Sequence, residues 1–375
     1  MRTSTTLALL AACAALLPGA LRAQDNLFPR ATAAGGMDAR QYSFGGNQIT
    51  IDHVRQFSFP VGLVVPVGQR FSFDLGTSYA VTSVRDNTGN TSDFSSLTDT
   101  QLRMSYTLGV DALVASVMVN LPTGKETTTL QQFGVISSTS ASFLLFPVNS
   151  YGTGFSVTPG LSAATSAGSW NLGLAASVRI GSEYQPFSDT ASASLRYKPG
   201  LETRIRAAAD RIIGQSRFTI GATFSTLSDD QLSGGGVATN GNVSPGNRIL
   251  VDLNLLSPMG RGSITTYVWN YYRAASRVAS ASAGNAENIL TGGVSGSFPL
   301  GERMAVEPLV EGRLWSPTTG SGYLVGAGTA LRIGLGTDWA FVPGVRVDVG
   351  HLKTSAGTEG SLTGWGLTAL LRYGL

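Results

Sequence analysis

Cysteine is nearly missing from this chain, and histidine is almost as scarce. Of 375 residues one is cysteine, Cys13, and two are histidine, His53 and His351. Cys13 falls in a segment that reads as an export signal. Arg2 lies in a short polar start, an apolar run extends from Leu7 to Leu17, and Pro18-Gly19-Ala20-Leu21-Arg22-Ala23 offers a cleavage point after Ala23. Removal of residues 1–23 leaves a chain with no thiol for a disulfide, a nucleophile or a metal. A competing reading takes Leu10-Ala11-Ala12-Cys13 as a lipoprotein processing site, which leaves a very short apolar core and apolar sequence beyond the cysteine.

The two histidines stand at opposite ends of the sequence with no nucleophile motif near either. They would meet a Ser or Asp partner only if the fold joined the chain ends. No phosphate loop, metal-spaced His/Cys cluster or nucleic-acid module is visible, and the net charge of +3 is widely spread. The expectation is a protein that is not an enzyme, with no cofactor and no nucleic-acid partner.

Charge is scarce too: 13% of residues are charged, where a soluble domain carries about 25%. Long apolar runs are also missing, since no uncharged stretch beyond the leader reaches the roughly 20 residues that a spanning helix needs. Yet 42% of residues are hydrophobic, and 47 are glycine. Without helices, such a chain can cross lipid only as a closed β-barrel, because hydrocarbon gives exposed backbone groups no hydrogen-bond partner.

Two-residue alternation is what the sequence does have. Phe71, Phe73, Leu75, Thr77, Tyr79 and Val81 share one face, against Ser72, Asp74, Gly76, Ser78, Ala80 and Thr82. Leu102, Met104, Tyr106 and Leu108 repeat the pattern, as do Leu172, Leu174, Ala176, Val178 and Ile180. With more charge, Leu195, Tyr197, Leu201 and Ile205 oppose Arg196, Lys198, Glu202, Arg204 and Arg206. A soluble sandwich would need a second layer over each apolar face; one sheet closed on itself needs only lipid.

Short connections are expected at Pro66–Gln69, Gly109–Asp111, Thr165–Ser169, Ser257–Arg261, Pro299–Glu302 and Leu335–Thr337, on the periplasmic side. Longer ones, at Asp86–Ser96, Pro122–Ser150, Ser228–Gly246 and Arg273–Gly284, suit the extracellular side. The fold expected is all-β, a transmembrane antiparallel barrel of the bacterial outer membrane with about 14 to 16 strands. Sixteen is favoured if Arg40–Ile51 is a strand, and fourteen if that segment folds into the lumen. The chain divides into the signal (1–23), a flexible periplasmic or lumenal segment (24–39) and the barrel (40–375). Trp365, Leu367, Ala369, Leu371, Tyr373 and Leu375 alternate to the last residue, resembling the carboxy-terminal signal of outer-membrane assembly, which most often ends in Phe. Partners expected are therefore outer-membrane lipids and the assembly machinery; oligomeric state is open.

Strand phase puts Arg103, Arg179, Arg196, Lys198, Arg204, Arg206, Arg217, Arg248, Arg303, Arg313, Arg332, Arg346 and Arg372 inside, with Asp74, Glu202, Asp252, Glu307, Glu311 and Asp348. On the lipid face near the midplane each Arg or Lys would cost roughly 2 to 4 kcal/mol. Such a lumen either favours anionic solutes or pairs its charges across strands to stiffen the wall. Tyr79, Tyr106, Trp170, Tyr184, Trp315, Trp339, Trp365 and Tyr373 fit interfacial girdles.

The most specific short pattern is Leu121-Pro122-Thr123-Gly124-Lys125, followed by Tyr151-Gly152-Thr153-Gly154-Phe155 and, a few residues on, Pro159-Gly160-Leu161. Its physical reading is a strand-ending turn at Pro122, Thr123 and Gly124. The pairing resembles the family of outer-membrane transporters linked to the meta-pathway of phenol degradation, over roughly Val110 to Leu161. Lys125 stands where that family commonly has an acid. The resemblance implies a barrel that moves hydrophobic compounds, similar to long-chain fatty acid transporters, with a small hydrophobic solute as cargo. Between the two halves lies an unusually apolar loop with Phe133, Val135 and Ile136, then Phe143, Leu144, Leu145 and Phe146. It either dips into the barrel mouth as a greasy site or constriction, or packs above the membrane on neighbouring loops. A passive channel for small hydrophobic or aromatic compounds is the function expected. A structural or adhesive barrel acting through its loops and an anion-leaning porin are the alternatives.

Overall fold

The computed structural model describes residues 31–46, 49–109, 112–188, 195–234, 241–278, 281–282, 284–354 and 357–374. The signal at 1–23 and the terminal Leu375 lie outside the described residues. The strands are Thr32–Gly45 (β1), Ile51–Val67 (β2), Phe71–Asp86 (β3), Thr91–Leu97 (β4), Thr100–Leu108 (β5), Leu113–Leu121 (β6), Ser156–Ala167 (β7), Trp170–Gly181 (β8), Arg196–Lys198 (β9), Glu202–Ile213 (β10) and Ser216–Leu227 (β11). They continue with Asp230–Ser233 (β12), Gly241–Ser244 (β13), Arg248–Met259 (β14), Gly262–Arg273 (β15), Arg277–Val278 (β16), Ala281–Ser282 (β17), Glu287–Pro299 (β18), Met304–Pro317 (β19), Gly320–Leu335 (β20), Trp339–Thr354 (β21) and Glu359–Tyr373 (β22). Among the described residues there is one helix, Leu130–Thr139 (α1).

Every neighbour in the large sheet is antiparallel, and the sheet closes because β1 pairs with β22 from Ala33↔Tyr373 to Gly45↔Ser361. Both β4 and β5 pair with β3 and run on from one another, so they count as one interrupted wall strand. The wall is a closed antiparallel barrel of sixteen strands. Closure leaves the sheet without an edge, the one way a sheet satisfies all its backbone groups in lipid. The boundary expected at residue 40 falls inside β1, which begins at Thr32; residues 32–39 are wall rather than a flexible segment.

An even strand number returns the chain to the rim where it began. The short turns lie on that rim. Gly68, Gly109, Gly168, Gly214, Gly260 and Gly336 all adopt positive φ there, between 60° and 86°, a region that glycine enters without a Cβ penalty. The turn at Gly214 is one that sequence reading missed. At the opposite rim, Asp86–Ser96 is no long loop: a tight turn at 87–90 leads directly into β4. A long connection at 182–201 was not foreseen. It supplies β9, which joins β12, β13, β16 and β17 in a five-stranded canopy above the mouth.

The alternation sorts as expected. On β21, Phe341, Val345, Val347 and Val349 point outward and stay exposed, while Arg346 and Asp348 point in and are half-buried and buried. Leu172, Leu174, Ile220, Val251, Val310, Leu314, Leu367 and Leu371 extend the outer apolar surface round the barrel. An apolar surface of that extent belongs in a membrane. Trp170 with Phe218 (centroids 6.3 Å apart) and Trp339 with Tyr373 (4.9 Å) lie at the turn end of this surface, as a girdle would. The protein is an outer-membrane β-barrel.

Candidate functional site

The chain between β6 and β7 does not stay outside. After α1 it enters the extracellular half of the lumen and lines one side of it. Phe143 and Phe146 are buried with Tyr42, Val54, Ile289, Leu324 and Leu362, which point inward from β1, β2, β18, β20 and β22. Phe143 stacks on Trp315 at 5.5 Å, and Phe146 meets the edge of Tyr42 at 5.3 Å. Leu144 and Leu145 pack on the same cluster. Of the two readings of this loop, the structure selects insertion.

Main-chain groups of the inserted segment would be left without water, and the wall supplies their partners. Arg313 donates to the carbonyls of Ser142 (3.0 Å) and Phe143 (3.5 Å), and Arg40 donates to that of Leu145. Gln56, fully buried, uses both ends of its amide on Val148, accepting from the N–H at 2.9 Å and donating to the carbonyl at 2.7 Å. Tyr151 makes hydroxyl contacts with Thr82 and Gln56, and burial pushes its phenol pKa up. An unpaired buried peptide group costs about 1 to 3 kcal/mol, so Arg40, Gln56 and Arg313 decide where the segment rests.

α1 closes a second cluster at the mouth. A capping box between Thr129 and Gln132 starts it, and Val135 and Thr139, one turn apart, are its buried residues. Val135 packs with Ala80, Phe94, Val148 and Tyr151. Phe133 is on the other side of the helix, half exposed, edge-on to Phe187 at 5.4 Å. It belongs to the rim, while Phe143 to Phe146 enter the lumen.

The Leu-Pro-Thr-Gly and Gly-Thr-Gly halves of the motif are brought together at the neck of the inserted segment. Asp99, in the break between β4 and β5, was not singled out from sequence, and it is the hub. It accepts from the N–H of Gly124 (3.1 Å), the N–H (2.7 Å) and hydroxyl (3.1 Å) of Thr153, and the Asn120 amide (2.9 Å). Thr123 ties Pro122–Gly124 to the wall through Thr100 (2.8 Å) and the Thr98 carbonyl (3.0 Å). The two strands of the neck touch backbone to backbone. A Cβ on Gly124 would stand 2.5 Å from the Tyr151 oxygen, and one on Gly152 would stand 2.6 Å from the Lys125 carbonyl. The turn expected at Pro122, Thr123 and Gly124 is therefore half of a clamp.

Most lumen candidates are where phase put them. Arg103 bonds Asp74 (2.6 Å from Nε), Arg206 bonds Asp252 (2.8 Å), Arg204 bonds Glu202 (2.8 Å) and Arg332 faces Glu307 (3.6 Å). Arg217 pairs with Asp210 at 3.3 Å, and Arg179 reaches Ser156 and Thr153. Under the inserted segment, Glu311 is held by Arg313 (3.2 Å), Arg346 (3.3 Å) and the Tyr267 hydroxyl (2.6 Å), and Asp348 by Arg346 (2.9 Å). Arg248 and Arg372 also point inward on their strands.

Five residues lie elsewhere than expected. Arg196 and Lys198 lie on β9, in the canopy rather than in the lumen wall, because Pro199 and Gly200 break the strand pattern before β10 begins. Arg303 sits in the turn before β19 at the periplasmic rim, where its carbonyl accepts from Gly334. Trp315 faces inward onto Phe143 instead of the lipid interface, and Tyr184 lies in the 182–201 connection against Tyr197. Local alternation does not distinguish a strand from its extension above the membrane, and aromatic residues serve either face.

His53 contacts Asp52 at 3.1 Å and His351 lies 3.8 Å from Glu359, on β2 and β21 respectively. Two strands, β1 and β22, separate these, which at about 4.8 Å per step leaves some 14 Å between the histidine strands. Closure of the barrel does not bring the two histidines into contact. Among the described residues no cluster of His, Cys, Asp and Glu could hold a metal.

No family model and no curated protein sequence matches the chain. Solved barrels resemble it in fold at low identity. A loop-deletion form of OmpT, an outer membrane protein of Vibrio cholerae, aligns at 10% identity and TM-score 0.42, covering 92% of this chain and 99% of that one. The outer membrane channel DcaP of Acinetobacter baumannii aligns at 12% and 0.42, covering 92% and 98%. An anion-selective porin from Comamonas acidovorans aligns at 11% and 0.38, also covering 92% and 98%.

Proposed function

We propose that the protein is a passive channel of the outer membrane for small hydrophobic or aromatic compounds. The observation that carries this reading is the inserted segment. Phe143 and Phe146 anchor the segment in the wall, and the partly buried Leu144, Leu145, Trp269, Tyr271 and Trp315 around them give one side of the upper lumen an apolar, aromatic lining. A general pore would have that surface wetted and charged. An aromatic lining lowers the cost of dehydrating a ring as it enters, and it offers edge and face contacts worth about 0.5 to 1.5 kcal/mol each, weak enough to release cargo. No energy source or cofactor is part of this reading. The resemblance of the Pro122–Gly124 and Gly152–Gly154 motif to the phenol-pathway transporters supports the same class of cargo.

Liposome swelling with the purified barrel tests it, using benzyl alcohol against a polar solute of similar size. Wild type should favour the aromatic solute, and deletion of Phe143–Phe146 should abolish the preference while raising overall conductance. A preference unchanged in a deletion variant with a normal barrel, or its absence in wild type, would overturn the reading. The basic face opposite the segment favours a second reading, a pore selective for anions. Planar-bilayer reversal potentials separate the two.

A further inference from the structure

We infer that Arg204, Arg248 and Arg273 form an anion shelf in the lumen wall, which takes the carboxylate of a small aromatic acid while its ring lies on the rung below. The inference rests on the channel reading above and narrows its cargo.

The ladder registers place the three arginines side by side. Arg204 and Arg248 both pair with Ser225, and Arg248 pairs directly with Arg273, so one inward-facing row crosses β10, β11, β14 and β15. At about 4.8 Å per strand the whole row is some 14 Å wide, within reach of guanidinium groups converging on one ligand. Two acids adjoin the row, Glu202 two residues before Arg204 on β10 and Glu287 opposite Arg273, and both are engaged. Glu202 pairs with Arg204 at 2.8 Å; Glu287 gives one oxygen to Arg273 (3.3 Å) and the other to the Trp315 indole (2.9 Å).

Arg248 in the middle has no acid among the described residues, and its buried Nε meets no hydrogen-bond partner. Elsewhere in this wall the arginines of neighbouring strands face acids, as Arg206 faces Asp252 and Arg217 faces Asp210. Like charges directly opposite each other destabilise a strand pair. Two opposed arginines with an orphan N–H are the donor set that a carboxylate completes, since each guanidinium presents parallel N–H groups to its two oxygens.

The neighbouring rung sets the rest of the ligand. Directly below Arg248 and Arg273 on the same face are Leu250 and Tyr271, a registered pair, and Trp269 follows. Tyr271 and Trp269 also pack against the cluster built on Phe143 and Phe146. A charged row above an apolar, aromatic stretch at Leu250 and Tyr271 suits an amphiphile of benzoate size, and Thr223 and Arg206 continue the lower rung on the far side of that stretch.

Benzoate and benzyl alcohol share a ring and differ in charge, so they are the probes. In liposome swelling, Arg248→Gln should lower the benzoate-to-benzyl-alcohol uptake ratio, and benzoate titrated calorimetrically into the detergent-solubilised barrel should bind that variant about tenfold more weakly than wild type. Arg217→Gln, in the same wall near the other rim, should bind benzoate like wild type, and heat-dependent gel mobility verifies that each variant forms a barrel. Equal benzoate affinity in Arg248→Gln and wild type, or no benzoate binding by either, overturns the shelf. Benzoate binding that depends on Arg248 in a barrel that passes neither solute sustains the shelf and removes the channel reading instead.

Discussion

The two sides of the lumen are built from the same alternating strands and hold themselves together in different ways. From β18 through β22 and β1 to β3 the wall carries the inserted segment, and its inward residues Tyr42, Val54, Ile289, Leu324 and Leu362 are each about 1% exposed or less. From β8 to β14 the wall is open to water. Arg204, Arg206 and Arg217 keep 54%, 39% and 60% of their side-chain surface exposed there even though each is paired. The difference teaches that pairing and burial are separate sources of rigidity. On the covered side burial dominates, and buried charges such as Glu311 are tolerated because three donors surround the carboxylate. On the open side ion pairs hold strands in register at small gain, because water screens them.

Truncation should break the contrast most sharply on the covered side. Phe143→Ala removes a buried ring from the cluster and should cost about 3 to 5 kcal/mol of segment packing. Hydrogen exchange at 140–151 should then approach the rate of an open loop while β-strand protection persists. Protection of the segment as in wild type would mean that the wall's hydrogen bonds alone hold it.

Loss of the neck comes next. Asp99→Ala leaves four donors around Gly124, Thr153 and Asn120 without their acceptor, and should cost about 2 to 3 kcal/mol. Single-channel recording would report it as added open-state noise, since both ends of the segment are released together. A steady current equal to wild type would remove Asp99 from the role assigned to it.

The smallest effect belongs to the open side. Arg217→Gln breaks an ion pair whose arginine is mostly exposed, and should change barrel stability by no more than about 1 kcal/mol in a urea titration in lipid vesicles. A larger loss would show that the open wall depends on its pairs as strongly as the covered wall depends on its core.

Much of this was legible in the residues. The outward row Phe71, Phe73, Leu75 and the inward Asp74 needed only the two-residue period, since a pleated strand sends neighbours to opposite faces whatever the fold. Scarce charge and the lack of any spanning helix made closure the solution, and short turns marked one rim through residues such as Gly109 and Gly168. Arg196 and Lys198 were misplaced because the same alternation continues into the canopy, where the partner strand is another loop and not the wall. Asp99 was invisible as a hub, because its partners lie 21 to 54 residues away and no local pattern distinguishes it from any other loop aspartate.

From its sequence alone this chain was committed to a membrane-spanning barrel, because period-two hydrophobicity without covering elements has one stable solution in lipid. Only the tertiary structure decided that residues 140–151 turn inward. That choice depends on Arg40, Gln56, Arg313 and Asp99 supplying partners across the lumen, and such long-range polar satisfaction comes into being only once the wall has closed.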